Sequence, residues 1–402
     1  MTTDDSNPHV IIAALWLLVF AASSQVMIIS PILPLIGMEL GVSPAVLGTL
    51  VTAYSIALAV SAVTIGPISD KVGRRRVLLI GTAAMTASLA LHAVATSYVS
   101  LLVVRGLAGA SGGVLSGAAV SYVGDYFPYD RRGWANGWVM SGIAFGQIAG
   151  IPLGTILADL YGYRTPFLVF AIAMGAAFAL IWFQVPQPNV QRDEGRLSVI
   201  RALRTYADMM RTKEPAAAAA AYFLMFLGFG FFVVYFPTWL TDAVGASGAE
   251  IATMFFIGGV ASVFTGPQAG SWSDKIGRKP LIIGSCVGLS ILMVLTTFVI
   301  TSMWIATVLF FVTMIINTMR ISPLQSLLTA IVPDERRGML LGMAVGIGQI
   351  GIGLAGALAG PIYASAGYLS NTVLAAAGML AMGAVVWLLL PEPSLVEGDP
   401  SG

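Results

Sequence analysis

Two arginines stand where arginine is costly. Arg105 lies about seven residues into a long apolar run, and Arg320 about ten residues before the end of another. A charge at such depth in hydrocarbon by default marks a substrate or ion pathway, or a paired site. Arg105 sits roughly 10 Å from the nearer interface at 1.5 Å per residue. Two readings fit it: a guanidinium on a cavity wall, or one that snorkels outward or bonds to backbone carbonyls. Arg320 is deeper, with Asn317 one turn before it and Pro323 three residues after. A proline frees a carbonyl one turn back and bends the helix. Arg320 is therefore either cavity-lining or half of a buried structural pair.

The acids give the complementary observation. All nineteen Asp and Glu fall in connections, tails or the last turn of an apolar run, none at its middle. A buried acid with a raised pKa is the natural proton carrier. Proton coupling here would fall to Asp125 at one end, or to Asp159, Asp242 and Glu250 at the other. His92 could titrate near neutrality, but a lone histidine of this kind is more often structural. Two arginines without a mid-membrane acid suggest a substrate or lipid headgroup that carries negative charge. Ser24, Gln25, Tyr54, Gln147, Tyr235, Asn317 and Gln349 are the neutral polar candidates for a pathway. Phe223, Phe226, Phe229, Phe231, Phe232 and Phe236 form an aromatic surface, open either to an apolar substrate or to lipid. Trp134, Trp138, Trp239 and Trp304 are expected as interfacial belt residues.

The elements that must position these groups are helices. The 402 residues are 57% hydrophobic and 10% charged, far from the roughly 25% charged of soluble domains. The apolar residues form twelve continuous runs, each long enough to cross a hydrocarbon core about 30 Å thick. Continuity excludes the alternation of a β-barrel. Expected spans are 10–35, 45–69, 76–96, 98–124, 134–158, 165–185, 216–241, 247–271, 279–300, 303–329, 338–363 and 368–390. The first follows Asp4 and Asp5 rather than a basic region and reads as a retained span, not a signal peptide. Cys286, the single cysteine, excludes an internal disulfide.

Seventeen of the twenty Lys and Arg fall in even-numbered connections. The positive-inside rule places those connections, and both termini, in the cytoplasm. The segment 186–214 divides an N-terminal six-span bundle, 1–185, from a C-terminal one, 215–402. Within it Leu197, Ile200, Leu203, Ala207 and Met210 recur at helical spacing, as in an amphipathic helix on the membrane surface.

The turn Ser69-Asp70-Lys71-Val72-Gly73-Arg74-Arg75 returns as Ser273-Asp274-Lys275-Ile276-Gly277-Arg278-Lys279, and Arg131-Arg132-Gly133 returns as Arg336-Arg337-Gly338. Two matched anchors imply a duplicated six-helix unit, with both copies in the same orientation and related by a pseudo-two-fold axis along the membrane normal. Asp70, just before span 3, is placed to accept backbone N–H bonds at a helix start. The basic residues after it are placed to pair with Asp125.

Gly66, Asp70, Lys71, Gly73, Arg74 and Arg75 together resemble the signature loop of the major facilitator superfamily, and the resemblance extends over the whole chain. It implies an all-α membrane protein of twelve transmembrane helices in two six-helix bundles. Leu101-x-x-x-Arg105-x-x-Ala108-Gly109 resembles the span 4 motif of its drug:proton antiporter branch. Gly142, Gly146, Gly150, Pro152 and Gly154 resemble that branch's span 5 motif, in a Gly-Ile-Pro-Leu-Gly variant similar to sugar and nucleoside exporters. The resemblance implies that Arg105 lines a cavity and takes part in proton coupling, that spans 1, 4, 7 and 10 line this cavity, and that the loop at Gly66–Arg75, with Asp125 and its repeat at Asp274, Gly277 and Arg278, forms a latch against glycine-rich span 11.

The leading expectation is a secondary transporter of the inner (plasma) membrane that exports small amphipathic molecules by alternating access, coupled to protons. A facilitator or symporter of an organic anion using Arg105 and Arg320 is the alternative. No enzyme activity, cofactor, metal or nucleic-acid partner is expected, since the chain carries no phosphate-binding glycine loop and no metal-ligand cluster, and a single copy is expected to suffice. Topology is directly testable. A reporter active only in the cytoplasm should work when fused after Pro188 and fail after Gly162; the reverse pattern would invert the assignment.

Overall fold

The computed structural model describes residues 7–188, 199–331 and 334–391. The side chains of Gly66, Asp70, Arg336 and Arg337 lie outside the described residues, and with them the expected Asp70 cap. Among the described residues there are helices and no strands. Twelve helical stretches have the length and apolarity to cross a membrane, from Pro8–Met27 to Tyr368–Leu389, in two bundles of six.

Spans 1, 4, 7 and 10 are each broken in two. Span 1 is Pro8–Met27 followed by Ile29–Leu40, span 7 is Lys213–Val233 followed by Phe236–Val244, and span 10 is Met303–Met319 followed by Ile321–Ala330. In each case the first half stops four residues before a proline: Met27 before Pro31, Val233 before Pro237, Met319 before Pro323. Proline has no N–H to offer the carbonyl one turn back, and its ring crowds that carbonyl. Span 4 breaks differently. Tyr98–Leu115 ends where Ser116 turns extended and Gly117 takes φ +75°, and Ala118–Tyr126 follows.

Span 5 carries a π turn at Gly146–Gly150, where the Ile151 N–H reaches back to the Gly146 carbonyl. Its glycines admit span 1: a Cβ at Gly142 would lie 2.8 Å from the Trp16 carbonyl oxygen, and at Gly146 and Gly150 it would run into Ser23 and Ser24. At Gly154 it would strike Ile28. This glycine series is thus first of all a packing face for span 1.

The bundles meet along two seams, span 2 on span 11 and span 5 on span 8. The first is graded. A Cβ at Gly356 would lie 2.6 Å from the Gly48 carbonyl oxygen, one at Gly353 3.3 Å from Ile56, and one at Gly346 3.8 Å from Val63; at Gly342 it would meet nothing within 4 Å. Span 11 runs toward the basic connections as its numbering falls. The molecule is therefore closed at the end opposite the basic loops and parts toward the basic end.

The structure adds detail to three expectations. In the linker helix Val199–Met210, Leu197 and the side chains of Ile200 and Leu203 lie outside the described residues; Ala207 and Met210 are exposed, and Tyr206 and Met209 pack on spans 2 and 7. Phe231, Phe232 and Phe236 are not a substrate surface; they are buried, with Phe232 and Phe236 stacked at 5.0 Å and Phe236 and Phe310 at 5.7 Å. Trp239 is half-buried and stacks on Tyr368 at 4.9 Å. Aromatic pairs of this kind add to what burial of the rings alone contributes.

The graded seam separates two substitutions. Gly356→Val should destabilise the closed end by about 1–3 kcal/mol through overpacking, and Gly342→Ala should be neutral. Thermal unfolding of the purified protein compares them, and equal shifts would count against the reading.

Candidate functional site

Sequence candidates from three spans converge in the N-terminal bundle. Arg105 of span 4 is 1% exposed. It donates through one terminal nitrogen to the Gln25 side-chain oxygen at 3.1 Å and to the Gln25 backbone oxygen at 3.4 Å. Gln25 in turn donates to the Tyr54 hydroxyl at 3.0 Å, and the guanidinium carbon lies 4.5 Å from the centroid of the Tyr54 ring. The snorkelling reading is excluded by this burial. Local sequence explains the convergence. Gln25 is two residues before the end of the first half of span 1, and Gly109 and Gly112 leave room for Tyr54, whose hydroxyl would be 2.5 Å from a Cβ at Gly112.

The Arg105 Nε is buried without a hydrogen-bond partner, and among the described residues no acid pairs with this guanidinium. Its charge is compensated by an amide oxygen, a backbone carbonyl and a π face. His92 is fully buried on the neighbouring span 3. Its Nδ1 lies 2.8 Å from the Ser88 carbonyl oxygen, and its ring stacks on Phe167 at 4.1 Å. Those contacts are the structural ones expected of a lone histidine.

Arg320 occupies the break in span 10, also 1% exposed. It donates to the Asn317 side-chain oxygen at 2.7 Å and approaches the Met379 sulfur at 2.8 Å. Its Nε is likewise buried and unpartnered, and no described acid pairs with it. Met379 was missed in the sequence because a thioether in an apolar run of span 12 carries no signal. The two arginines belong to separate bundles and share no partner. The structure brings Gln25 and Tyr54 to Arg105, and Asn317 to Arg320. It does not bring Gln147 or Tyr235 to either group: the Gln147 backbone faces Gly259 of span 8, and the Tyr235 hydroxyl is bonded at the seam.

At the basic end the duplicated turns do the same physical work twice. Gly73 and Gly277 take φ +99° and +101°, a backbone only glycine adopts without strain. Arg74 Nε pairs with Asp125 at 2.6 Å, at the end of span 4, and Arg75 donates to the Trp182 carbonyl at 2.6 Å, at the end of span 6. In the repeat, Arg278 donates to the Ser326 carbonyl at 3.1 Å in span 10, and Lys279 to the Trp387 carbonyl at 2.9 Å in span 12. Each turn ties its own bundle together. Asp274 is exposed, and span 11 meets span 2 through glycines at the far end rather than at this loop.

Comparison with known proteins agrees with this architecture. The chain is 25% identical over 373 residues to the MFS-type transporter YwfA of Bacillus subtilis (strain 168), covering 92% of this chain and 89% of that one. It is 27% identical to the multidrug resistance protein MdtG of Proteus mirabilis (strain HI4320), covering 78% and 79%. Its fold superposes on the crystal structure of a D-xylose-proton symporter with a TM-score of 0.78 at 19% identity, covering 96% and 98% of the two chains. The Major Facilitator Superfamily pattern matches residues 15–217 and 218–402. The chain thus belongs to the Major Facilitator Superfamily, a family of membrane transporters and not of enzymes.

Proposed function

We propose that the protein is a proton-coupled exporter of small amphipathic molecules in the inner (plasma) membrane, working as a monomer with both termini cytoplasmic. Two units, 1–185 and 215–402, joined by 186–214, rock about a central pathway. The observation that carries this reading is the Arg105–Gln25–Tyr54 network, held on spans 1, 2 and 4 near the closed end of a seam that parts toward the basic end. An unpaired buried cation repels an entering proton and attracts an anion or a dipole, so its state depends on what occupies the pathway. The similarity to MdtG supports efflux. In this cycle the loop at Asp70–Arg75 and its repeat keep each bundle rigid, and closure at the basic end brings span 11 against the first turn. In proteoliposomes, substrate added outside should alkalinise the lumen, because entering substrate exchanges for departing protons. Acidification would mean symport.

One observation favours a second reading: both arginines are buried with Nε unpartnered, and neither is paired with an acid among the described residues. An organic anion would supply the missing charge. Across cationic, neutral and anionic compounds, Arg105→Gln and Arg320→Gln would then abolish anion transport alone, whereas equal loss for all classes supports the first reading.

The network also predicts stability. Gln25→Ala removes the side-chain acceptor of a buried guanidinium and should cost about 1–3 kcal/mol. Gln25→Glu supplies a charged acceptor and should keep the fold while changing the pH dependence of transport. Thermal unfolding and transport measured from pH 5 to 8 check both.

A further inference from the structure

We infer that the Tyr235 hydroxyl is the tie that holds the outer mouth of the transporter shut, by exchanging places with a helical hydrogen bond of the opposite bundle. Tyr235 sits at the break in span 7, with φ −103° and ψ 2°, and is fully buried. Its hydroxyl accepts the Gly48 N–H at 2.8 Å and donates to the Pro44 carbonyl at 2.5 Å. Both partners belong to span 2 of the N-terminal bundle.

The spacing of the partners gives the tie its meaning. Gly48 and Pro44 are four residues apart, the donor and acceptor of one ordinary α-helical bond. The hydroxyl is inserted between them, and span 2 is interrupted at this point into Pro44–Leu47 and Thr49–Val72. A side chain inserted into the i→i−4 ladder is a recognised cause of such interruptions. Withdrawal of Tyr235 lets Gly48 bond directly to Pro44, so opening leaves neither backbone group unpaired, while water entering the mouth solvates the phenol.

Glycines make the insertion sterically possible. A Cβ at Gly48 would lie 3.1 Å from the Tyr235 ring, and one at Gly360 of span 11 would strike the hydroxyl. Beside it the Thr52 hydroxyl donates to the Gly353 carbonyl at 2.7 Å, a second hydrogen bond across the same seam. Tyr363 stacks on the Tyr235 ring at 5.4 Å and is itself held by Asp242, which fixes the phenol's approach. The element thus has two arrangements of nearly equal hydrogen bonding, and the hydroxyl decides between them.

The inference rests on the proposal of alternating access only in requiring that the outer mouth opens at some stage. The test uses the full chain, labelled from one side of the membrane at a time, with Cys286, which is buried, replaced by serine. Val51→Cys, beneath the seam and 6% exposed in the closed form, reports opening to a membrane-impermeant maleimide added outside. Gly342→Cys, exposed at the parted end, reports opening on the other side to the same maleimide applied to inside-out vesicles. Tyr235→Phe should raise labelling at 51 about tenfold, a shift of about 1.4 kcal/mol, and lower labelling at 342. Thr52→Val, which loses one bond across the seam, should shift both in the same sense by a smaller factor. Equal labelling of Tyr235→Phe and its parent at both positions overturns the tie while leaving alternating access intact. A rise at both positions together would mean general loosening and also overturns it. No labelling at 51 in any variant, with or without substrate, sinks alternating access and the tie together.

Discussion

In hydrocarbon a backbone carbonyl has no water to turn to, and proline takes away the amide that would have served it. Three times in this chain a span stops and restarts where that loss falls, at Met27, Val233 and Met319, whereas Pro34, Pro267 and Pro361 are held inside continuous helices. The breaks gather the polar groups. Gln25 lies two residues before the first, Tyr235 two residues after the second, and Arg320 immediately after the third. An interrupted helix is tolerated at this depth only where protein surrounds it, so each break faces neighbouring spans and offers them its side chains. Three of the buried polar groups described above therefore sit beside points where a helix cannot continue, while Arg105 and Tyr54 lie within unbroken stretches.

The second constraint is distance. Lipid tails are as apolar as leucine, so helices in a bilayer associate through close packing and not through expulsion of water. Glycine permits the closest packing, and its distribution along span 11 draws the molecule's shape: tight against span 2 at Gly356, loose at Gly346, free at Gly342. A uniform glycine face would give a sealed pair of bundles. Here the gap widens because the two helices diverge, and the same residue type does different work at each level.

Much of this was legible in the chain and some was not, for physical reasons. Span number and the duplicated turn were open to reading because hydrophobic length and basic residues are local signals. Arg105 and Arg320 were visible because charge in an apolar run is rare. The bend at Pro323 was foreseen, yet Pro31 and Pro237 carry the same chemistry and were passed over, since each lies near the end of its run where proline looks like a boundary. Tyr235 was read as a pathway residue because a hydroxyl in a span advertises polarity without naming its partner, and that partner lies 187 residues away. The aromatic series of span 7 misled for a related reason. Periodicity tells which residues share a helix face, but not whether lipid, substrate or another helix covers it. In the linker helix the burial of Tyr206 and Met209 is decided by spans 2 and 7, which the helix's own pattern does not name.

The duplication itself is faithful at the edges and abandoned in the middle. Arg74 and Arg278 tie to spans 4 and 10, Arg75 and Lys279 to spans 6 and 12, so the two frames are held between equivalent spans, through a carboxylate at Asp125 and a backbone carbonyl at Ser326. Spans 4 and 10 begin at Tyr98 and Met303, and in that register Arg105 corresponds to Phe310 and Leu115 to Arg320. One bundle therefore has a guanidinium network where the other has Phe310 packed between Phe236 and Phe255. The second bundle carries its own arginine ten positions deeper, at a break. Conserving the frame holds each half together as one unit, since ties at the basic end do not depend on what the core contains. Moving the charge between levels gives the two halves different electrostatic depth profiles. A polar or charged molecule moving along such a pathway would feel the first guanidinium and the second at separate heights, one bundle at a time.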